Sequence, residues 1–176
     1  MTTRGTALLL GVLVALVAYI WLAEVEPRRR PPRSDEAAEP APLLTVPSSA
    51  IARVALEERG ARLTAVRQER TWVDEEGRSW RGDAVSGLVE TLGSLRPVMV
   101  VESDPMEPAE YGLGPDALRL EVSAEGGRPV LALELGQQNP SATGVYARVG
   151  GRREVVLIGA LLRWELDKLR DAAPAQ

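Results

Sequence analysis

Apolar and polar residues alternate along several short stretches between residues 51 and 158, and this alternation predicts β-strands. Leu118, Leu120 and Val122 are separated by polar residues, which is typical of a strand with one face in a core and one in water. Pairs such as Arg59-Gly60 and Gly150-Gly151 separate neighbouring stretches and predict hairpins. The stretch 98–101 is apolar throughout, which is typical of a strand buried on both faces. The predicted strands cover residues 51–58, 61–68, 71–73, 78–80, 98–101, 118–123, 130–135, 145–149 and 154–158.

Two other stretches carry apolar residues at helical spacing. The apolar residues of the first are Val85, Leu88, Leu92 and Leu95, and those of the second are Leu162, Leu166 and Leu169. The first helix is predicted to begin after Asp83 as its N-cap and to end near Leu95. The second is predicted over residues 160–170, where Arg163 and Asp167 are four residues apart and can form an ion pair. The fold class predicted is α+β, a mostly antiparallel sheet built from hairpins with two packed helices, preceded by one transmembrane helix.

The transmembrane helix is predicted at residues 5–23, where 19 successive residues carry no charge. As a helix they would span about 28 Å, close to the hydrocarbon thickness of a bilayer. Tyr19 and Trp21 stand near the end of this segment, where aromatic side chains favour the membrane interface. A cleaved signal peptide and a buried core helix are the alternatives. The expected partner of residues 5–23 is therefore the lipid bilayer.

Residues 24–47 hold six of the 13 prolines, together with arginines and glutamates, and predict an extended linker. The run Arg28-Arg29-Arg30 favours a cytoplasmic domain by the positive-inside rule, but charge alone does not decide the orientation. The predicted organisation is an anchor at 1–23, this linker at 24–47, a folded domain at 48–171 and a short tail at 172–176.

The composition excludes several kinds of chemistry. The chain has 176 residues, no cysteine and no histidine, which removes disulfides, the usual zinc sites, a cysteine nucleophile and a Ser-His-Asp triad. Its net charge of -4 also argues against nucleic-acid binding, which needs a basic surface. No catalytic, cofactor-binding or metal-binding residues are predicted, and the chain is not expected to be an enzyme.

The polar clusters have simple structural interpretations. Residues 74–76 are read as solvated turn acids, and Lys168, the single lysine, as a favourable charge near a helix C-terminus. The acids of the loop after residue 101 are Asp104, Glu107 and Glu110, and they are read as loop and helix-start residues. Gly112-Leu113-Gly114 is only a fragment of a dinucleotide loop, since Pro115 stands where a helix should begin. The most polar loop, 136–141, is read as a strand connection with binding as an alternative.

The aromatic residues leave two interpretations open. Trp72 and Trp80 flank one turn and are read as core or cross-strand packing. Alternatively, Trp72, Trp80, Tyr111 and Tyr146 could provide stacking surfaces for a small ligand or a carbohydrate.

Several short segments stand in a characteristic order between residues 51 and 171. They are Arg81-Gly82-Asp83, Glu110-Tyr111-Gly112-Leu113, Leu133-Glu134-Leu135-Gly136, Val145-Tyr146-Ala147-Arg148, Val155-Val156-Leu157-Ile158 and Leu169-Arg170-Asp171. This ordered set resembles the bacterial domain-of-unknown-function family 4340. The resemblance implies an N-terminal membrane helix, an extracytoplasmic domain and similarity to auxiliary components of ABC-type transport systems, including the gliding-motility type. It implies no catalytic residues.

The expected function is that of a non-enzymatic accessory domain. It would be tethered to the inner membrane, face away from the cytoplasm, and dock on a membrane protein of an ABC-type transport or envelope assembly. The alternative is a small-ligand or carbohydrate-binding module on the same anchor.

Overall fold

A single antiparallel sheet organises the part of the chain that the structure, a computed structural model, describes, namely Leu13 and residues 40–174. Its strands are β1 (Ile51–Glu58), β2 (Ala61–Gln68), β3 (Thr71–Val73), β4 (Pro97–Glu102), β5 (Leu118–Ala124), β6 (Pro129–Gln138), β7 (Gly144–Val149) and β8 (Val155–Gly159). The order across the sheet is β3-β2-β1-β5-β6-β7-β8-β4, and every neighbouring pair is antiparallel. The shortest strand, β3, and the strand β4 therefore form the two edges.

The hairpins follow from local turn chemistry. β1 and β2 are joined by Arg59 and Gly60, both with positive φ (49° and 82°), which is the backbone twist that a two-residue hairpin needs. β7 and β8 pair across a connection that contains Gly151 at φ 81°. Both predicted hairpins are confirmed.

Two helices cover one face of the sheet. Helix α1 runs over Ala84–Ser94 and helix α2 over Leu161–Asp171, and the two pack against each other. They bury the predicted apolar stripes, which include Leu88, Leu92 and Leu166 at 0% exposure. The opposing sheet face contributes alternate residues such as Leu120 and Val122, also fully buried. The α+β class with an antiparallel sheet and two helices is therefore confirmed. We call the sheet face under the helices the core face and the other the open face.

The prediction of a buried strand at residues 98–101 is wrong. Its residues belong to β4, which among the described strands pairs only with β8 and so lies at the sheet edge. The exposed fractions of Val98, Met99 and Val100 are 61%, 54% and 49%. An apolar strand is buried on both faces only where neighbouring elements cover it. Among the described strands, β4 has a neighbour on one side only.

Two further predicted strands differ from the structure. Residues 78–80 form no strand but make one bridge, between Ser79 and Val73. The strand predicted at 130–135 extends as β6 to Gln138 and so includes the first half of the predicted polar loop.

Asp83 precedes α1 as predicted, but its side chain does not cap the helix. Its carboxylate instead lies 3.2 Å from Lys168 Nζ on α2, which lowers the pKa of Asp83 through the hydrogen bond and charge of that ammonium group. Asp83 therefore occupies the N-cap position as predicted, but its carboxylate pairs with Lys168 and makes no capping bond to the helix. The predicted ion pair between Arg163 and Asp167 does form, at 3.3 Å.

The folded unit begins before the predicted boundary at residue 48. Chain contacts define a compact unit from Pro40, and Leu44 within it is only 4% exposed. The amide of Leu43 donates to the carbonyl of Leu95 at the end of α1. At the other end, Ala172 and Ala173 of the predicted tail pack against the core.

The predicted membrane span at residues 5–23 lies outside the described residues, apart from Leu13. Among the helices of the described residues, none combines the length and apolar character needed to cross a bilayer. The transmembrane anchor remains a prediction.

Candidate functional site

Two tyrosines from separate sequence motifs meet on the open face of the sheet. Tyr111 is the last residue of a 3-10 turn at Pro108–Tyr111, and Tyr146 lies on β7, facing away from the buried Val145 and Ala147. Their ring centroids are 5.1 Å apart with an interplanar angle of 68°, an edge-to-face contact. The Tyr111 hydroxyl donates to Glu102 at 2.7 Å, and this bond, together with burial, raises the pKa of Tyr111.

An ion pair lies on the same face, two residues further along β7. Arg148 is directly opposite Glu134 of β6, and its Nε donates to the Glu134 carboxylate at 3.0 Å. Both side chains are partly buried, at 32% and 16% exposure. This charge-assisted pair fixes the register of two central strands rather than leaving either charge available for chemistry.

Two glycines let the motif segments cross at close range. Gly112 has φ 72°, and a Cβ at this position would lie 2.7 Å from the amide nitrogen of Gln137. A Cβ on Gly136 would overlap the carbonyl oxygen of Tyr111. Gly112 and Gly136 are therefore required by a backbone crossing, and the Gly112–Gly114 segment is not a phosphate loop.

The remaining motifs join the start of α1 to the end of α2. The Arg81 guanidinium donates to the carbonyl of Asp171 at 2.7 Å, and Arg170 donates to Glu58 on β1 at 2.6 Å. Together with the pair of Asp83 and Lys168, these contacts close the two helices onto the sheet. The motif residues thus hold elements together that are distant in sequence.

Two of the clefts contain charged side chains that form ion pairs with each other. A cleft of about 480 Å³ lies beside the turn after β3 and is lined in part by Asp74, Arg78 and Trp80. A smaller cleft of about 290 Å³ lies beside Glu134 and Arg148. In the first, Arg78 contacts both Asp74 and Glu76.

Asp74 was predicted to be a solvated turn acid, and this is wrong. Only 9% of Asp74 is exposed, and its carboxylate accepts hydrogen bonds from the backbone amides of Glu76 and Arg78 and from Arg78 Nε. Burial works to raise the pKa of Asp74, but these bonds and the charge of Arg78 outweigh it and lower the pKa below its usual value. Asp74 therefore organises the turn between β3 and α1.

The tryptophans predicted as possible stacking surfaces are buried. Trp72 is 8% exposed and Trp80 7% exposed, so the packing interpretation is confirmed for both. Arg67 lies over the Trp72 ring at 4.8 Å from its centroid. Tyr111 and Tyr146 are half-buried and cover each other's rings. These four aromatic residues thus offer little open ring face to a ligand.

The polar loop and the loop acids also have structural partners. Asn139 accepts hydrogen bonds from the amides of Thr143 and Gly144 and donates to the hydroxyls of Ser141 and Thr143, which closes the turn between β6 and β7. Asp104 lies 3.5 Å from Arg153. Within residues 40–174, no group of acidic residues is arranged to hold a metal ion.

The sequence interpretation missed two exposed apolar surfaces. One is the edge strand β4, and the other is the outer face of α2, where Leu161 and Trp164 are each 59% exposed. A signal for the first was present, because Pro97 and Glu102 flank the apolar run and proline is confined to strand starts and edges. For the outer face of α2, the signal was that Leu161 and Trp164 do not fit the helical spacing of the buried residues Leu162, Leu166 and Leu169.

Comparison with known proteins identifies one family. The family model described as a domain of unknown function, DUF4340, matches residues 72–173, which is more than half of the chain and includes all of the motif segments. No curated protein and no solved structure matches the chain significantly. The chain therefore belongs to the DUF4340 family of domains of unknown function.

Proposed function

We propose that this protein is a non-enzymatic accessory domain, tethered to the inner membrane, that docks on a membrane protein of an ABC-type transport or envelope assembly. The observation that carries the proposal is the exposed apolar face of α2. Leu161 and Trp164, one helical turn apart, are each 59% exposed. Large exposed apolar side chains on a folded domain mark interaction surfaces, and tryptophan is the residue type most enriched among energetically dominant contacts.

The geometry of α2 explains why Trp164 faces outward. The opposite side of the helix is occupied by Leu162, Leu166 and Leu169, which fill the core at 1% exposure or less. Lys168 Nζ lies 5.5 Å from the centroid of the Trp164 ring and also contacts Asp83. Lys168 is held by Asp83 and lies beside the Trp164 ring. The ring is therefore held in place before a partner binds, which lowers the entropic cost of docking.

The non-enzymatic part of the proposal is supported by what the motif residues do. Within the described residues, most charged members of the motifs form ion pairs or bind backbone carbonyls, and the glycines allow a backbone crossing. A catalytic group would instead be expected in a cleft with a perturbed environment and a free reactive atom.

The membrane tether is proposed from the uncharged segment 5–23 and the proline-rich spacer that follows it. An extracytoplasmic domain agrees with the family resemblance. A phosphatase fused after Gln176 would be active for this orientation and inactive for the opposite one. Retention of the full-length chain in membranes after alkaline extraction would support the span, and its release would contradict it.

Trp164→Ala tests the docking face. The tagged full-length chain, solubilised in mild detergent, should co-purify a membrane protein, and this variant should lose most of that partner, since removing a central tryptophan costs at least about 2 kcal/mol of binding. Met106→Ala is the matched control, because Met106 is 96% exposed but lies in the loop after β4. Recovery of the wild-type chain alone, or equal recovery of a partner by both variants, would overturn the proposal.

A further inference from the structure

Strand β3 pairs with only part of β2 and leaves the rest of that strand without a second neighbour. β3 lies opposite residues 66–68, and the pairing ends where Val73 lies opposite Val66. β2 begins at Ala61 and pairs with β1 along residues 61–66. Beyond the end of β3, the edge of the sheet is therefore formed by β2 itself, at residues 62–64.

The backbone groups of this uncovered part of β2 point away from β1. The two-residue turn between β1 and β2 makes Ala61 part of a hydrogen-bonded pair with β1, and such pairs recur at every second residue. Arg62 and Thr64 lie at the intervening positions, so their N–H and C=O groups face the other side. Val66, at an equivalent position, lies opposite Val73 of β3. Among the described residues, no backbone group pairs with Arg62 or Thr64 on that side.

The uncovered part of β2 lines the cleft of about 480 Å³ beside the turn after β3. Arg62, Leu63 and Thr64 all belong to the lining, together with Trp80 and the turn that Asp74 organises. Thr64 is only 7% exposed, so the strand is recessed at this residue. A recessed edge of three residues admits a thin extended segment more readily than the edge strand of another folded sheet.

Trp80 adds an unsatisfied donor to the same cleft. Its side chain is 7% exposed, and its Nε1 is buried without a hydrogen-bond partner among the described residues. A buried indole N–H usually has a partner, and an unmade hydrogen bond costs free energy. A ligand that brings a carbonyl group into the cleft would remove this cost. The donor and the strand edge therefore both favour a ligand with main-chain hydrogen-bonding groups.

We propose that the cleft binds an extended peptide segment of the docked membrane protein, which pairs antiparallel with residues 62–64 of β2 as an added strand. An extended main chain offers N–H and C=O groups at the spacing of a strand edge, and a compact small molecule does not. The inference rests on the proposed function in one respect, namely that the segment belongs to the docked partner. Ala173 lines the cleft just after the end of α2, and Trp164 lies about 10 Å before that end along the helix axis. One partner can therefore contact both.

The lining residues predict the side chains of the bound segment, because residues opposite each other in a strand pair share a face. The contact of Arg62 with Glu121 is 3.9 Å long, and both side chains are more than half exposed, so this pair contributes little. An acidic residue is therefore expected opposite Arg62. An apolar residue is expected opposite Leu63, which packs against the core, and a small polar one opposite Thr64. From its N-terminus, the segment reads polar, apolar, acidic.

The capped peptide acetyl-Val-Thr-Val-Glu-Val-amide has this pattern and is the probe. It is titrated into the isotope-labelled full-length chain in mild detergent, and the indole N–H signals of the four tryptophans are followed by NMR. The signal of Trp80, assigned with Trp80→Phe, should shift as its N–H gains an acceptor. The signal of Trp164, which does not line the cleft, should not shift. Absence of a Trp80 shift at millimolar peptide would overturn the proposal.

Methylation of alternate peptide nitrogens tests whether the peptide binds as a strand. In the proposed pairing, the nitrogen of the peptide threonine donates to Thr64, whereas the nitrogen of the central valine points away from β2. Methylation of the threonine nitrogen should weaken binding at least about tenfold, since a bond is lost and the Thr64 carbonyl is left unpaired. Methylation of the valine nitrogen is the matched control and should leave binding unchanged. Equal effects of the two methyl groups would overturn the proposal.

A charge exchange tests the register. Arg62→Glu should lose binding of the probe and bind a peptide in which lysine replaces its glutamate, and this recovery also shows that the variant folds. Arg128→Glu, at an exposed position outside the cleft, is the matched control and should bind the original probe. Failure of the lysine peptide to bind Arg62→Glu would overturn the proposal. Self-association of the wild-type chain that the probe reverses would assign the cleft to a second copy and overturn it too.

Failure of the proposed function is observed separately. Trp164→Ala leaves the cleft intact and should bind the probe like the wild-type chain while it loses the membrane partner. If the wild-type chain recovered no partner from membranes and yet bound the probe with the expected methylation pattern, the proposed function would fail and the peptide specificity of the cleft would stand.

Discussion

The Cα atom of Gly136 on β6 faces the carbonyl oxygen of Tyr111 so closely that any Cβ at this position would overlap it. The neighbouring Gly112 approaches Gln137 in the same crossing, with φ 72°. Two motifs that stand 24 residues apart in the sequence are therefore explained by one contact between backbones. This contact also positions Tyr111 against Tyr146 and Glu102 on the open face.

Gly136→Ala is expected to destabilise the fold strongly. The added methyl group meets backbone rather than a mobile side chain, so β6 or the turn at Tyr111 must move, at a cost of about 3 kcal/mol or more. Urea unfolding of the full-length chain in detergent, followed by tryptophan fluorescence, to which the buried Trp72 and Trp80 contribute, would measure this loss. Gly114→Ala is the control, because nothing lies within 4 Å of its Cβ position, and should change stability by less than about 0.5 kcal/mol. Similar unfolding midpoints for both variants would contradict the crossing.

Asp74→Asn is expected to weaken the fold at neutral pH and to flatten its acid dependence. The pKa of Asp74 is lowered in the folded chain, so its contribution is fully present above the unfolded value of about 3.9 and is lost as the pH falls through the folded pKa. The unfolding midpoints of wild type and Asp74→Asn should therefore converge as the pH is lowered towards 3.

Glu75→Gln is the control for Asp74. Glu75 pairs with Arg53 on the surface, where both side chains are about half exposed, and such pairs contribute little. A constant difference between Asp74→Asn and wild type from pH 7 to 3 would contradict the role of the Asp74 carboxylate.

The hairpins and helices of this fold could be predicted because the residues that specify each of them stand close together in the sequence. The hairpin at Arg59-Gly60 needs two residues with positive φ angles, and these two residues adopt them. The buried stripe of α2, which includes Leu162, Leu166 and Leu169, follows from the helical spacing of these leucines. The alternation in β5 identified correctly which residues face the core.

The errors arose where the outcome depends on residues far away in sequence. Val98–Val100 reads as a buried strand unless the sheet order is known, since only that order makes β4 an edge. Asp83 is the N-cap residue as predicted, but its missing capping bond is explained only by Lys168, which lies 3.2 Å from its carboxylate. The candidate surfaces were missed for the same reason, because exposure of Trp164 or Met99 is a property of the assembled layers.

Glu165→Met is expected to stabilise the fold. Glu165 on α2 is 6% exposed, and its Oε2 is buried with no hydrogen-bond partner among the described residues. This oxygen lies against α1, 3.0 Å from where a Cβ of Gly87 would stand. An apolar side chain of similar length removes the desolvation cost, so the free energy of unfolding should rise by about 1–2 kcal/mol.

Glu90→Met, at an exposed position of α1, is the control for Glu165 and should have little effect on the unfolding midpoint. Destabilisation by Glu165→Met would show instead that the carboxylate makes a favourable contact with a cation in the folded chain.

Leu44→Ala tests where the folded unit begins. Leu44 stands inside the proline-rich segment predicted as linker, yet it is 4% exposed and belongs to the core cluster. Its truncation removes buried methyl groups and leaves a cavity, so the free energy of unfolding should fall by about 2–4 kcal/mol. Thr45→Ala changes the adjacent exposed residue and should leave the urea midpoint almost unchanged. If Leu44→Ala were equally neutral, residues 40–47 would belong to the linker and not to the folded unit.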